Sequence, residues 1–413
     1  MDLAWISIAA LTVVITLSCV TTINVGVLAL AMALVVGVFL GGMEPNAVLE
    51  GFPVPLLVTL IGVTLLFSIA ECNGTLTRLT AHAVRLCRGH TGLLPILFFG
   101  LGWILSTIGA GAVPATALLA PPAMAVAAKA GIPPLLMAIV AGNGALAGTL
   151  SPFAPTGIVS AGVMERIGLG GYEWHTFAYN ALAHALVGFG GFVLFGGLEL
   201  FKRHTASGQA PEPDPSTMEP RHWLTSSGIM ILIIAVAGLG MNVGMTALII
   251  ATLLVLLRTV EESKAIQRMP WGVLLMVTGV TVLISMVEET KGLELITTGI
   301  AHVSTPSTIA PIVAFGTGII SVYSSTSGVV LPAFLPMVPL LAERLGDMPP
   351  LPIAWSIAVG ASLVDLSSLS TVGALFMAGA APGTDTRALF NALLIWGLSM
   401  AIVGAAICWV LFG

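Results

Sequence analysis

The sequence predicts an all-α polytopic membrane protein, with about ten transmembrane helices and two re-entrant hairpins arranged as two inverted repeats. Hydrophobic residues make up 57% of the 413 residues and charged residues only 8%, and the mean hydropathy is +1.05. Soluble domains carry about 25% charged residues. The chain instead contains apolar runs of about 20 residues, the length that spans a bilayer. The polar stretches between these runs are short, so no sizeable soluble domain is expected.

The first half, residues 1–201, contains two apolar regions with a polar interruption near the middle. Residues 93–127 are too long for one span and too short for two spans with a loop, and STIGAGAVPA lies near their centre. This pattern is typical of a re-entrant hairpin, in which two half-helices turn back inside the membrane. Residues 132–163 form a span that Pro residues break at 148–157. The other predicted elements are spans at 3–20, 24–41, 54–71 and 176–200 and a basic surface helix at 77–90.

The second half, residues 225–413, repeats this order of elements after a polar, Pro-rich linker at 202–224. A second hairpin is expected at 307–342, with SVYSSTSGVVLP at its centre. A second broken span is expected at 352–380. The other predicted elements are spans at 226–241, 243–257, 271–287 and 388–411 and a surface segment at 289–304.

The two halves also share sequence. LIGVTLLFSIAECNGTL at 60–76 aligns with VTGVTVLISMVEETKGL at 277–293. The matched pairs, all 217 residues apart, are Gly62 with Gly279, Thr64 with Thr281, Ser68 with Ser285 and Glu71 with Glu288. Together with the shared order of elements, these matches predict an internal duplication.

The distribution of Lys and Arg predicts the orientation. Each half crosses the membrane five times, because a hairpin returns to its own side, so the second half is inverted relative to the first. Cytoplasmic segments carry an excess of Lys and Arg. With both termini outside, the external segments hold only Arg166, Lys291 and Arg344 of the 14 basic residues. The cytoplasmic segments then hold Arg78, Arg85, Arg88, Lys129, Lys202, Arg203, Arg221, Arg258, Lys264, Arg268 and Arg387. We therefore expect a multi-pass protein of the inner (plasma) membrane with external termini and a cytoplasmic linker.

The two breaks and the two hairpin tips predict a binding site near the middle of the bilayer. Lipid cannot satisfy the backbone of a broken helix, so breaks persist only beside protein or a water-filled cavity. In transporters such paired breaks mark the site. Half-helix N-termini suit carboxylates, whereas carbonyls and hydroxyls suit a hard cation such as sodium. The predicted substrate-binding residues are Ser106, Thr107, Gly109, Asn143, Ser151, Thr156, Ser325, Thr326, Ser327, Ser370 and Thr371.

Asp365 is the only formal charge between Pro352 and Ala380. An acid inside the membrane is a functional residue by default, and its expected roles are to bind a cation or to carry a proton. The position equivalent to Asp365 in the first half is expected at Ala147 or Gly148, so the first half has no matching acid. No Arg or Lys is evident inside the membrane to pair with a substrate carboxylate. The candidate sodium ligands are Ser106, Asn143, Thr149, Ser324, Thr326, Asp365, Ser367 and Ser368.

The chain resembles the ion transporter superfamily, which includes divalent-anion/sodium symporters and the large membrane subunit of TRAP transporters. Its first half resembles the MatC-type dicarboxylate carriers. The resemblance is carried by GVTLLFSIAECNGTL, by STIGAGAVPATALLAPPAMAVA in the first hairpin and by GNGALAGTLSPFAPTGIV in the first broken span. The divalent-anion symporters carry Ser-Asn-Thr at each hairpin tip. This chain instead has Ser106-Thr107-Ile108-Gly109 and Ser324-Ser325-Thr326-Ser327.

The resemblance implies symport of a small dicarboxylate such as malonate or succinate with sodium, by an elevator mechanism, in a homodimer. The hairpins and broken spans, with parts of the spans at 54–71, 176–200, 271–287 and 388–411, would form a moving transport domain. The spans at 3–20, 24–41, 226–241 and 243–257 would form the scaffold and the dimer contact.

Other functions fit the same architecture: a cation/proton antiporter, an inorganic-anion carrier, or a TRAP-type subunit that needs a soluble binding protein. An intramembrane enzyme would need a convergent set such as HExxH or paired acids inside the membrane, and the sequence contains none. We expect no catalytic residue and no cofactor beyond the coupling ion, which is Na⁺ with H⁺ as the alternative. The expected partners are a dicarboxylate anion, the lipid bilayer and a second copy of the chain, with no nucleic acid. Glu71 and Glu288 are expected at the membrane interface, and His184 is expected to be a packed or hydrogen-bonded residue and not a proton relay.

Overall fold

The computed structural model describes residues 3–20, 23–84, 91–201, 217–381 and 383–413. These residues form helices without a β-strand, and seven of the helices are long and apolar enough to cross a membrane. The predicted fold class, an all-α polytopic membrane protein, is confirmed. The end of the predicted basic helix (85–90) and linker residues 202–216 lie outside the described residues, as do Arg85, Arg88, Lys202 and Arg203 of the orientation argument.

The first half contains eleven helices, of which two are continued by a π-helical turn. They are α1 Leu3–Val20, α2 Val25–Leu34 with the π-turn Val35–Leu40, α3 Pro45–Glu50, α4 Val54–Cys72, α5 Thr75–Val84, α6 Leu93–Leu105 with the π-turn Ser106–Ala110, α7 Ala112–Ala130, α8 Pro134–Ala147, α9 Pro155–Arg166, α10 Glu173–Leu194 and α11 Gly197–Leu200.

The second half contains the remaining helices. They are α12 Pro220–Ile233 with the π-turn Ile234–Gly238, α13 Val243–Leu256, α14 Glu262–Arg268, α15 Trp271–Glu289, α16 Gly292–His302, α17 Ile309–Tyr323, a π-turn Thr326–Val330, α18 Leu331–Phe334, a 3₁₀ turn Leu335–Met337, α19 Val338–Arg344, α20 Pro350–Leu363, α21 Thr371–Ala378 and α22 Thr386–Phe412.

The two broken spans have the same local structure. Both α8 and α20 begin with Pro in the first turn, and their bounds lie 216 residues apart. Past each break a glycine sits tightly against the chain: a Cβ on Gly157 would lie 1.9 Å from Ser151 O, and one on Gly373 would lie 2.0 Å from Ser367 O. Residues 216 apart are therefore structurally equivalent in this region.

Glycine pairs bring helices of the two halves into contact. A Cβ on Gly279 of α15 would lie 1.9 Å from Gly26 O in α2, and one on Gly62 of α4 would lie 2.4 Å from Gly244 O in α13. Small residues allow such close approach of helix backbones inside membranes. The second long helix of each half (α2 or α13) therefore packs on the third span of the other half (α15 or α4). The two halves are held together by these contacts.

The first hairpin has longer arms than the predicted half-helices. Its arms, Leu93–Ala110 and Ala112–Ala130, have 18 and 19 residues. The tip nevertheless reaches only the break of the first broken span, since a Cβ on Gly109 would lie 3.1 Å from Phe153 O and one on Gly111 would lie 3.1 Å from Pro155 Cδ. Because Phe153 lies between α8 and α9, the chain turns back at the middle of that span.

Two short helices, α3 and α14, were not expected from the sequence. They are six and seven residues long, and each precedes the third span of its half. Helices of this length contain too few residues for an apolar periodicity to be recognised. Both begin directly after a glutamate in extended conformation, Glu44 or Glu261, which is the remaining sequence signal.

Gly279→Ala is expected to lower the melting temperature of the detergent-solubilised protein, because the added methyl group collides with the α2 backbone. Overpacking of this kind costs about 1–3 kcal/mol. Gly190→Ala in α10 is the matched control, since nothing lies within 4 Å of its Cβ position, and Ala favours a helix over Gly by about 0.5–1 kcal/mol. Equal melting temperatures for the two variants would contradict the proposed contact between the halves.

Candidate functional site

Both hairpin tips and both helix breaks meet at one cavity of about 390 Å³. The helix α4 and the beginning of α15 close its other side, through Thr64, Phe67, Ser68 and Val273. The cavity is thus built from elements of both halves, at the points where the helices are interrupted.

The first tip supplies backbone groups. Gly109 and Gly111 have positive φ angles of 124° and 79°, which explains the glycines at the turn. Helix α7 starts directly afterwards, and no side chain caps its first amides. Ala112 and Val113 line the cavity, so N–H groups that lack an intrahelical acceptor lie at its wall.

The second tip supplies hydroxyl groups. Ser324, Ser325, Thr326 and Ser327 all line the cavity. The Ser325 hydroxyl accepts a hydrogen bond of 3.0 Å from the Gly328 amide and so caps the helical turn that follows. This tip therefore offers side-chain oxygens at the place where the first tip offers only glycine and alanine.

The two breaks add two further helix N-termini. Thr156 in the first turn of α9 and Thr371 at the start of α21 line the cavity. The Ser370 hydroxyl accepts from the Gly373 amide at 3.2 Å and donates to the carbonyls of Asp365 and Ser367. Helix N-termini carry a partial positive charge, so three helices and the capped turn of the second tip direct positive dipole ends to one cavity, which favours an anion.

Asp365 lies at the edge of this cavity in a cluster of oxygen atoms. Thr326 Oγ1 is 2.8 and 2.7 Å from the two carboxylate oxygens. Ser321 Oγ is 2.6 Å from Thr326 Oγ1 and 3.4 Å from Asp365 Oδ1. Among the described residues no basic side chain forms an ion pair with this acid. Asp365 is half-buried, and a carboxylate that loses hydration without a cationic partner is unfavourable, so the cluster suits a bound cation.

The structure places ten of the predicted site residues at the cavity wall. They are Gly109, Thr149, Thr156, Ser324, Ser325, Thr326, Ser327, Asp365, Ser370 and Thr371.

The other predicted residues lie behind the wall. Ser106 and Thr107 precede the tip, in the last turn of the first arm, and Ser106 is fully buried. The Ser151 hydroxyl donates to Thr107 O at 2.7 Å. Ser367 and Ser368 are buried in the second break. None of these residues reaches the cavity in the described structure.

Asn143 belongs to a buried network rather than to the cavity. Its amide nitrogen donates to Ile139 O at 2.8 Å, which leaves Oδ1 to accept from His184 Nδ1 at 2.8 Å. His184 Nε2 is 3.0 Å from Ser362 Oγ. The network links α8, α10 and α20 and so joins the two broken spans. His184 is buried and hydrogen-bonded, as expected from the sequence.

The counterpart of Asp365 in the first half is Thr149. The equivalence of α8 with α20, 216 residues apart, places Thr149 at this position. The expected positions, Ala147 and Gly148, are therefore wrong by one or two residues, because the spacing of 217 that aligns the third spans shortens to 216 in the broken spans. The asymmetry itself remains, since the first half has no acid here.

An ion pair that was not expected from the sequence lies at the mouth of the cavity. Arg268 Nε lies 3.3 Å from Glu71 Oε1, with the two side chains 65% and 42% exposed, and both residues line the cavity. Arg268 is the one basic side chain at the wall within the described part of the chain. The repeated Glu at the end of the third span was visible in the sequence, but its pairing with a residue almost 200 positions away was not.

Comparisons with known proteins agree with this geometry. Residues 1–149 match the family profile described as the N-terminus of the dicarboxylate carrier protein MatC, and residues 240–413 match the citrate transporter family. The solved structure of the YdaH transporter from Alcanivorax borkumensis is similar, with a TM-score of 0.55 and 18% identity. The alignment covers 88% of this chain and 86% of that chain, and it shows a shared fold. The comparison with curated protein sequences found no match.

The fold and the site define a polytopic membrane carrier with an anion-favouring cavity. The two family matches, one in each half, confirm the resemblance noted in the sequence. Both matches are to carboxylate carriers, so they support a carrier that resembles the carboxylate carriers of the ion transporter superfamily.

Arg268→Gln is expected to raise the KM for carboxylate uptake several-fold, because it removes the positive charge at the mouth. The increase should be larger at low salt, where surface charges are less screened. Initial uptake rates in proteoliposomes at two ionic strengths measure the effect. Lys264→Gln is the matched control, since it lies one turn earlier on the same helix, pairs with Glu261 at 2.7 Å and does not line the cavity. An equal change in both variants would exclude a specific role for Arg268.

Proposed function

We propose that the chain is a secondary active transporter of small dicarboxylates, coupled to sodium in symport. The observation that carries the proposal is the juxtaposition at one cavity of helix N-termini and an acid-bearing cluster of oxygens. The N-termini favour an anion and the oxygens favour a hard cation. A site that binds both at once is what symport of an anion with a cation requires.

The positive ends around the cavity support a substrate with two carboxylates. The amides of α7 lie on the first hairpin, whereas the amides at the start of α21 lie on the second broken span. Two separate N-termini can each receive one carboxylate of a short diacid, and Arg268 adds a positive charge at the entrance. A cavity of about 390 Å³ is large enough for malonate or succinate with water. The names of the two matched families, a dicarboxylate carrier and a citrate transporter, agree with this substrate class.

An elevator movement is the proposed mechanism. The hairpin helices α6 and α17 pack on the broken spans α8 and α20, and α10 contacts both broken spans. This cluster, which contains the site, is the proposed transport domain. The helices α1, α2, α12 and α13 are the proposed scaffold. The scaffold exposes large apolar side chains, Leu239, Met245 and Leu256 among them, and we assign these faces to lipid and to contact with a second copy. We also propose that the protein lies in the inner membrane with both termini on the external side.

Two other functions make different predictions. A cation/proton antiporter or an inorganic-anion carrier on this fold would not respond to dicarboxylates. A TRAP-type subunit would not transport alone, because it would need a soluble binding protein. The uncapped N-terminus of α7 at the cavity favours an anion substrate over the antiporter.

Purified full-length protein in liposomes is expected to accumulate radiolabelled succinate or malonate when an inward sodium gradient is imposed. The physical reason is that sodium entering down its gradient is bound together with the anion. Choline replacing sodium should abolish accumulation, and excess unlabelled dicarboxylate should compete, whereas sulfate and phosphate should not. Accumulation driven equally by a proton gradient without sodium would overturn sodium coupling. No uptake under any gradient would overturn the transport function of the isolated chain.

A further inference from the structure

We infer that each transported dianion is coupled to a single sodium ion, which binds at the Asp365 cluster of the second half. The inference rests on the proposed function and adds its stoichiometry. It starts from the structural equivalence of the halves: a duplicated transporter could hold one cation in each half, and the residues at equivalent positions decide whether it does.

Equivalent positions in the two halves have different chemistry. The cluster in the second half consists of Ser321, Thr326 and Asp365. At the equivalent break the first half has Thr149, and its hairpin tip has Gly109, Ala110 and Gly111 directly before α7. The first half therefore has a hydroxyl in place of the carboxylate, and its tip offers glycine and alanine where the second tip offers hydroxyls. No formal charge remains there to balance that of a cation.

The second-half cluster brings five oxygens together. The two carboxylate oxygens of Asp365 lie within 2.8 Å of Thr326 Oγ1. Thr326 Oγ1 is 3.3 Å from Ala361 O, and Ser321 Oγ is 2.6 Å from Thr326 Oγ1. Carboxylate, carbonyl and hydroxyl oxygens are ligands of hard cations. Asp365 also lines the cavity, so an ion can reach it from the same space as the substrate.

The strongest competing place for a second ion is the end of α8 in the first half. Ser106 Oγ and Asn180 Oδ1 are buried there and find no hydrogen-bond partner among the described residues. However, the Asn180 amide group donates to Leu146 O at 2.9 Å and to Ala147 O at 3.3 Å. These two carbonyls already accept hydrogen bonds, as Ala361 O does in the second-half cluster, so the difference between the two places is the carboxylate of Asp365. This neutral pocket lacks the negative charge that offsets the loss of hydration of an ion.

The stoichiometry has an electrical consequence. One sodium ion with a dianion moves one net negative charge, whereas two sodium ions with a dianion move none. In the first case an inside-positive potential favours accumulation inside. For one net charge, a potential of about 100 mV changes the equilibrium accumulation ratio about 50-fold.

The test uses the full chain in proteoliposomes, with succinate, a fixed sodium gradient and a potential imposed by potassium and valinomycin. We expect an inside-positive potential to raise accumulation, and accumulation at zero potential to rise in proportion to the sodium gradient. Accumulation that is independent of the potential and rises with the square of the sodium gradient would overturn the inference, because it requires two ions. Stronger accumulation at inside-negative potential requires three and would overturn it as well.

A binding measurement separates this inference from the proposed function. Sodium alone, without carboxylate, is expected to raise the melting temperature of the detergent-solubilised protein along a single-site saturation curve. Asp365→Asn should abolish this shift, and Thr326→Val, which keeps the charge, should raise the half-saturating sodium concentration about tenfold. Ser356→Ala on α20 is the control, since its hydroxyl bonds only Pro352 O at 2.7 Å, away from the site. A sodium shift that persists in Asp365→Asn would overturn the assignment, even if no dicarboxylate is transported.

Discussion

The constraint on which this structure depends is that lipid offers no hydrogen bonds to a broken helix. At each of the two breaks, nearby protein groups supply the hydrogen bonds that the lipid cannot. In the first, the Gly157 amide donates to Thr149 O at 3.1 Å and Ser151 bridges to the first hairpin. In the second, the Ser370 hydroxyl caps α21. The groups left over are the first amides of the helices that restart, and they lie beside the cavity. The breaks are thus packed against protein on one side and open to the binding space on the other.

The two halves have the same backbone geometry at their helix breaks, but the side chains at their hairpin tips differ. Gly157 and Gly373 have the same close contact with the preceding chain, so the breaks have the same geometry. At the tips, however, the first hairpin turns at Gly109 and Gly111, whereas the second turns at Ser324 and Ser325. The first half therefore contributes mainly backbone dipoles and the second half mainly side-chain oxygens. In a duplicated fold, one half can in this way recognise the anion while the other half binds the cation, although both halves keep the same fold.

The sequence allowed the helices, the hairpins and the breaks to be predicted, because long apolar runs and their Pro and Gly interruptions are local signals. Thr326 and Asp365 were predicted for the same reason, since polar residues stand out in apolar surroundings. Asn143 has the same local signal, yet it faces His184 inside the bundle. The direction in which a helical residue points depends on neighbours distant in sequence. The pairing of Arg268 with Glu71 was not predictable for the same reason.

The motif that is repeated in the third spans, α4 and α15, lies at the cavity in one half only. Thr64, Ser68 and Glu71 of α4 line it, whereas Thr281, Ser285 and Glu288 of α15 do not. On the equivalent face of α15, Ser285 packs closely on Gly51, since a Cβ on Gly51 would lie 2.5 Å from Ser285 Cβ, whereas Glu288 is exposed. Alternating access in such transporters moves one repeat or bundle against the other. Under the proposed mechanism, the face of α15 lines the path in the opposite state. One motif then serves both openings, which explains why the two third spans have kept the same polar positions.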